Sequence, residues 1–313
     1  MLNINIIVIF LLVHHNLVSG NVPILAIRPP GGRLGNIMFE WASISSVAHR
    51  FNATACYTTR VDHMSVFHDA FRIGFPHLCN DLAPMTSIQT LPIREEWGYA
   101  MYDKKIDSPL NDEEQNKGGA YFIGYFQSYK YFNHTLVRSM FEFRPEIVEW
   151  RKNYFDAHLK ANGKKRIIVG IHIRRGDKVG QDRTIMPSPS FYHSAMRKYE
   201  RLFKEQNDAI IWFLVVSEDP SYWNANIKPN ERFLVHVHQN GSPQRDLALL
   251  AGCTHSIISV GTFGWWGAYL ANGRVLYHDE FLKTHPLNLN GKIHPWDYYP
   301  SYWDELHDYS NNN

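Results

Sequence analysis

The chain has 313 residues, enough for one large or two medium domains, and 44% of them are hydrophobic, as in an ordinary globular protein. Its formal net charge is only +2 with all 17 histidines neutral, which argues against a general nucleic-acid-binding surface. No cysteine–histidine spacing matches a zinc site.

In chain order, residues 1–20 come first, with an apolar run from Ile4 to Val13 broken only by Asn5. The run is short for a full membrane span. Val18-Ser19-Gly20 could serve as a signal cleavage site, or the run could extend through Leu17 and Val18 as an uncleaved anchor. Both readings send the rest of the chain to the secretory lumen, where disulfides persist. Cys56 and Cys79 could pair there, and Cys253, in an apolar stretch, reads as a free buried thiol. Asn52-Ala-Thr54 and Asn133-His-Thr135 are sequons, making Asn52 and Asn133 candidate glycosylation sites.

Ile24 to Arg28 reads as a strand, followed by the Gly-rich loop Pro29 to Asn36 and a helix over Ile37 to Phe51. Such a loop lets backbone approach a ligand closely, and a helix start offers amide donors. Thr54 to Tyr57 and Ala120 to Phe126 read as further strands, and Asn133 to Phe143 and Pro145 to Leu159 as helices. Asp103 to Gly119 is polar enough for a surface excursion. Lys160 to Lys165 is polar and carries glycine, and the domain boundary is expected there.

Ile167 to Ile173 is apolar on both alternating faces, the pattern of a parallel strand covered on both sides. Gly170, His172 and Arg174 share one face, with Gly170 clearing space, while Arg175 points the other way. An arginine fork suits a phosphate by geometry and charge, and ligands in open α/β sheets bind beyond the carboxyl ends of strands. After this strand, helices over Pro189 to Phe203, Pro220 to Asn226, Pro243 to Gly252 and Thr262 to Ala271 alternate with strands over Ile210 to Val216, Phe233 to Val237, His255 to Val260 and Val275 to Tyr277. This alternation predicts α/β architecture: two Rossmann-like domains with a cleft between them. The expected limits are 1–20 for the leader, 21–162 for the amino-terminal acceptor-side domain, 163–290 for the nucleotide-binding domain and 291–313 for a tail. Ser259 to Gly267 is a second strand-to-helix junction, with Thr262 read as the N-cap and the Phe263 amide facing the strand exit. Together with Arg174 it makes two phosphate-suited elements in one domain. No Asp-x-Asp motif stands at a strand end, so no metal is expected.

Four segments in order resemble the α1,2-fucosyltransferases, glycosyltransferase family 11. They are Gly32-Arg-Leu-Gly-Asn-Ile-Met-Phe39, His172-Ile-Arg-Arg-Gly-Asp177, Asp246-Leu-Ala-Leu-Leu-Ala-Gly-Cys253 and Gly261-Thr-Phe-Gly-Trp-Trp-Gly-Ala-Tyr-Leu270. The second is similar to a motif shared with α1,6- and protein O-fucosyltransferases. The resemblance implies a GT-B-like fold, GDP-fucose as donor, inversion at the sugar, a galactose hydroxyl of a glycan as acceptor, and no resident cofactor. It places Arg174 on the donor pyrophosphate, with Arg175 beside it. It also puts His172 near the nucleotide, Asp246 near the guanine or ribose, Thr262 and Phe263 on the phosphate, and Asn36 near the fucose or pyrophosphate. Asp182 is the first candidate base and Asp177 the second, with Glu40 and Glu218 more distant ones. Lys178, where many α1,2 enzymes have an aromatic residue, instead resembles the α1,6 enzymes. Hence the alternatives are another linkage, or a non-catalytic lumenal binding protein. The implied location is the Golgi membrane, single-pass type II with a lumenal catalytic domain, or secretion if the leader is cleaved.

Overall fold

The computed structural model describes residues 23–28, 31–60, 64–73, 77–79, 93–95, 100–107, 119–179, 186–203, 209–227, 233–278, 280–283 and 293–308. The leader and Asp182 lie outside the described residues, as do 108–118 of the expected surface excursion. Among the described residues no helix is long and apolar enough to cross a membrane. The chain divides into two units: Met1–Met64 with Gly74–Met140, and Ser65–Ile73 with Phe141–Asn313.

The first unit holds a parallel four-stranded sheet. Its strands are β1 (Ile24–Arg28), β2 (Thr54–Tyr57), β3 (Ile93–Arg94) and β4 (Gly119–Ile123), in the order β2-β1-β4-β3. Helix α1 (Leu34–Arg50) follows β1; of Ile37, Trp41, Ile44 and Ala48, which share one face at helical spacing, it buries all but Trp41, which is half-buried. Cys56 and Cys79 form a disulfide that ties β2 to the chain beyond it. Asn52 is exposed at the turn after α1. Asn133 is half-buried, and its side chain accepts the Leu136 N–H at 3.2 Å.

The second unit opens with α2 (Met64–Ala70), whose Phe67, together with Phe71 just beyond it, packs on Phe141, which in turn meets Trp266 at 4.9 Å. Residues 65–73 are anchored here by these rings. After α3 (His134–Met140), which closes the first unit, come α4 (Pro145–His158), β5 (Lys165–Ile173), α5 (Pro189–Phe203), β6 (Ala209–Ser217), β7 (Leu234–Val237), α6 (Pro243–Ala251), β8 (His255–Ile258), α7 (Thr262–Ala271), β9 (Val275–His278) and β10 (Asp304–Leu306). The six strands are parallel in the order β10-β9-β8-β5-β6-β7. Counted from β5 this is the doubly wound nucleotide-binding order, which reverses direction between β5 and β8.

β5 is central because both its faces are apolar. Val169, Ile171 and Ile173 pack on Phe191, Ala195, Met196 and Tyr199 of α5. On the other face Ile168 packs with Phe155, Leu159, Leu250 and Cys253. A side chain at Gly170 would strike Cys253 Sγ and Leu250. The space it leaves therefore admits α6, not a ligand, because the strand interior is covered and only its exit is open. Cys253 is free and buried, as expected. Phe155 and Leu159 draw α4 into this core, so the polar stretch 160–165 is a turn inside the second unit and the division falls at Met140–Phe141. The tail also packs here: Trp265 donates to the Tyr298 carbonyl at 2.9 Å and lies against Trp303, and β10 extends the sheet beyond β9.

The Cys56–Cys79 crosslink spans 23 residues. Replacing both with serine should destabilise the first unit by about 3 kcal/mol through restored chain entropy, seen as a lower Tm that reductant no longer changes.

Candidate active site

Where strand order reverses, the two neighbouring strand exits splay apart and leave an opening at their carboxyl ends. In the second unit these are the exits of β5 and β8, and Arg174 leaves β5 at that point. Its N–H donates to the buried Ser259 hydroxyl beyond β8 at 2.8 Å, which stitches the two exits together. The Arg174 side chain is only 11% exposed, and its guanidinium donates to the carboxylates of Glu218, beyond β6, and of Asp177. Glu218 also accepts the Arg175 N–H at 3.0 Å.

Gly261 faces Arg174 from the far side of the opening. A side chain there would meet Arg174 Cδ at 3.7 Å and Nε at 3.9 Å. Its φ of 91° lies in the region that favours glycine, and it turns the chain from β8 into α7. Gly261 therefore holds the cap position expected for Thr262, and Thr262 is the first helical residue. The positive-φ turn does the capping geometrically, with no side-chain cap bond. The first-turn amides, Phe263 among them, lack helical acceptors and carry the positive end of the helix dipole. Arg174 and the start of α7 thus converge on one opening, the arrangement that suits an anion.

His172 lines the same exit. It is buried, its ring lies 5.7 Å from that of Phe263, and its Nδ1 makes no hydrogen bond among the described residues. Burial lowers its pKa to about 4, so the ring is neutral. Gly264 permits this placement: an added Cβ would sit 2.3 Å from Nδ1. Arg175 turns away, as read from the alternation, and its guanidinium carbon stacks 3.8 Å from the centre of the Tyr222 ring. Its side chain thus packs on Tyr222, while its backbone N–H helps hold Glu218. Asp177 is 54% exposed and stands as an ion-pair partner of Arg174, and Glu218 has the same role. Asp246 lies in the first turn of α6, with His238 Nε2 3.2 Å from its Oδ1. Among the described residues no three histidine, cysteine or acidic side chains are grouped to hold a metal.

Asn36 belongs to the first unit, at the reversal between β1 and β4, and accepts from Gln127 Nε2 at 3.1 Å. Around it lie groups that sequence reading missed or set aside. Glu95 Oε2 accepts the N–H groups of Tyr125 at 2.7 Å and Phe126 at 3.1 Å. Glu40 is fully buried and receives the Tyr57 hydroxyl at 3.3 Å. Glu40 Oε1, Glu95 Oε1 and Gln127 Oε1 are buried without a hydrogen-bond partner among the described residues. Burial raises the Glu40 pKa well above the usual range, against the Tyr57 bond and with Glu95 adding to it. Burial also raises Glu95 to about 7, against its two amide bonds. The sequence signal for Glu95 was weak, since it sits on a two-residue strand in an aperiodic stretch.

Two outcomes follow from these placements. Gly264→Ala should displace His172 without unfolding α7, and weaken nucleoside-diphosphate binding about tenfold in calorimetry, an effect of about 1.4 kcal/mol. Glu95 has a folded pKa of about 7 against an ordinary 4.5, so the folded unit holds a proton that the unfolded chain releases between those values. Its stabilising effect is complete below 4.5 and is lost as pH rises through about 7. Glu95→Gln should therefore remove about 2 kcal/mol of stability loss between about pH 5 and about pH 8, measured by denaturant melts at the two pH values.

Residues 4–283 match the family model for glycosyl transferase family 11. Galactoside 2-alpha-L-fucosyltransferase SEC1 of Bos taurus is 30% identical over 257 residues, covering 80% of this chain and 65% of its own length. Galactoside alpha-(1,2)-fucosyltransferase 2 of Bos taurus is 29% identical over 262 residues, covering 79% of this chain and 69% of its own length. The chain thus spans about two thirds of the length of these relatives. A solved structure of POFUT1 in complex with GDP superposes with a TM-score of 0.51 at 12% identity, covering 83% of this chain and 99% of that one. That likeness is one of fold, in keeping with the expected GT-B-like α/β class. A family match over residues 4–283, most of the chain, means that the chain belongs to glycosyltransferase family 11.

Proposed function

We propose that the protein is an inverting fucosyltransferase that moves L-fucose from GDP-fucose to a galactose hydroxyl of a glycan, making an α1,2 linkage. The observation that carries this reading is the convergence of Arg174 and the start of α7 on one opening between β5 and β8. The acceptor oxygen attacks the anomeric carbon from the face opposite the diphosphate. The bond from that carbon to the β-phosphate oxygen breaks, and the acceptor proton passes to a base. Negative charge then grows on the departing GDP, and Arg174 with the α7 amides is suited to stabilise it, as an oxyanion hole does. Until the donor arrives, Glu218 and Asp177 neutralise Arg174. Neutral His172 presents an unsatisfied nitrogen to the nucleotide side, and Asp246 reads the guanine or ribose.

Asp182 is the first candidate base and Asp177 the second. Lys178 favours the second reading, a fucosyltransferase of α1,6-like linkage. The Cys56–Cys79 disulfide and the sequon at exposed Asn52 support a lumenal location, on the Golgi membrane through residues 1–20 or secreted after their cleavage.

Purified protein incubated with GDP-fucose and a panel of galactosides should release GDP only with acceptor present, and linkage analysis of the product should give the α1,2 bond. GDP release without an acceptor, or no turnover, would overturn the reading. Arg174→Ala should lower kcat on the order of 100- to 1000-fold, whereas Arg175→Ala, which keeps the backbone N–H to Glu218 and loses the stack on Tyr222, should act mainly through stability.

A further inference from the structure

Just beyond β7 stands His238, whose N–H donates to the Val215 carbonyl at 2.9 Å and whose side chain is buried. Tyr154 of α4 reaches across to it. The Tyr154 hydroxyl lies 2.6 Å from His238 Nδ1 and 2.8 Å from His236 Nε2. The other nitrogen of the His238 ring, Nε2, lies 3.2 Å from Asp246 Oδ1. The pair is close but not aligned as a hydrogen bond, and both atoms are buried without another partner among the described residues. His158 stacks on His236 at 4.6 Å, and Arg245 lies over Trp150 beside the group.

The phenol has one proton to give. Burial, with His158 and His238 adding to it, lowers His236 to about 4, so that ring is neutral. With one proton on the His238 ring, two arrangements are possible. In one, His236 Nε2–H donates to Tyr154, Tyr154 donates to His238 Nδ1, and His238 carries its proton on Nε2, toward the Asp246 carboxylate. In the other, the bonds run in reverse and His238 presents a lone pair to a carboxylate oxygen 3.2 Å away. That second arrangement sets acceptor against acceptor in a buried site, where an unpaired polar contact is costly. The first is therefore selected.

We infer that His238 is a positioning residue for Asp246: Tyr154 holds it as the Nε2–H tautomer, and that N–H aims the Asp246 carboxylate at the donor nucleotide. The inference rests on the reading of Asp246 as a nucleotide contact and adds a three-residue relay behind it. The pair already stands at 3.2 Å, and an incoming nucleotide group bonded to the same carboxylate would favour its alignment.

The test uses the full chain and GDP as probe, with binding followed by calorimetry and KM and kcat followed for GDP-fucose. Tyr154→Phe and His238→Ala should each weaken GDP binding about tenfold, the loss expected for a hydrogen bond to a charged group. KM for the donor should rise with them while kcat changes little. His238→Gln, whose amide nitrogen can occupy the Nε2 position, should restore most of the affinity. In the Asp246→Asn background Tyr154→Phe should add nothing further. If Asp246→Asn leaves GDP binding unchanged, the nucleotide reading of Asp246 fails. If Asp246→Asn weakens binding while Tyr154→Phe and His238→Ala do not, or if Tyr154→Phe is additive with it, the positioning role is overturned and Asp246 stands alone.

Discussion

A guanidinium withdrawn from water must be paired, and at the exit of β5 two carboxylates do this. Arg174 is held between Glu218 and Asp177, its backbone is tied to Ser259, and its side chain lies along Gly261. Desolvating such a charge costs several kcal/mol unless partners offset it. The surrounding structure follows from that requirement. β6 must end where Glu218 can reach back, β8 must end beside β5, and α7 must begin through a residue without a side chain. A ligand carrying its own negative charge can then take over part of the pairing while the fold keeps Arg174 in place.

The two units use the same topological device for opposite electrostatics. At the reversal in the second unit the groups are a cation, a helix start and a neutral imidazole, which suit a diphosphate. At the reversal in the first unit they are amides and buried carboxylates whose pKa values are raised. Protonated or half-protonated carboxyls and primary amides both donate and accept, a chemistry suited to neutral polar groups. The contrast arises from burial. Among the described residues Glu40 and Glu95 meet no cation, only Tyr57 and backbone N–H groups, so desolvation outweighs hydrogen bonding.

Much of this was legible in the residues. Apolar alternation in 167–173 marks a strand covered on both faces, and the polar cluster after it marks a strand exit, because side-chain period and burial are local properties. The limits of α5 and α7 were read correctly for the same reason. Less legible were the features set by distant partners. The polar turn at 160–165 resembles a linker, but α4 is held to the second unit by Phe155 and Leu159. Thr262 has the chemistry of a cap, but the backbone turn placed Gly261 there. β10 has only three residues and no apolar run of its own to mark it.

Residue order alone determined the alternation of strands and helices, the family motifs, and the presence of an arginine, a histidine and a helix start suited to a phosphate. Only the tertiary structure decided that Glu218 and Asp177 share Arg174, that Arg175 stacks on Tyr222, and that Tyr154, His236 and His238 stand behind Asp246. The reason is separation along the chain. Local periodicity fixes which way a side chain leaves its own strand, but a contact between residues more than forty positions apart, such as Arg174 with Glu218, depends on which strands become neighbours, and that is settled when the whole sheet packs.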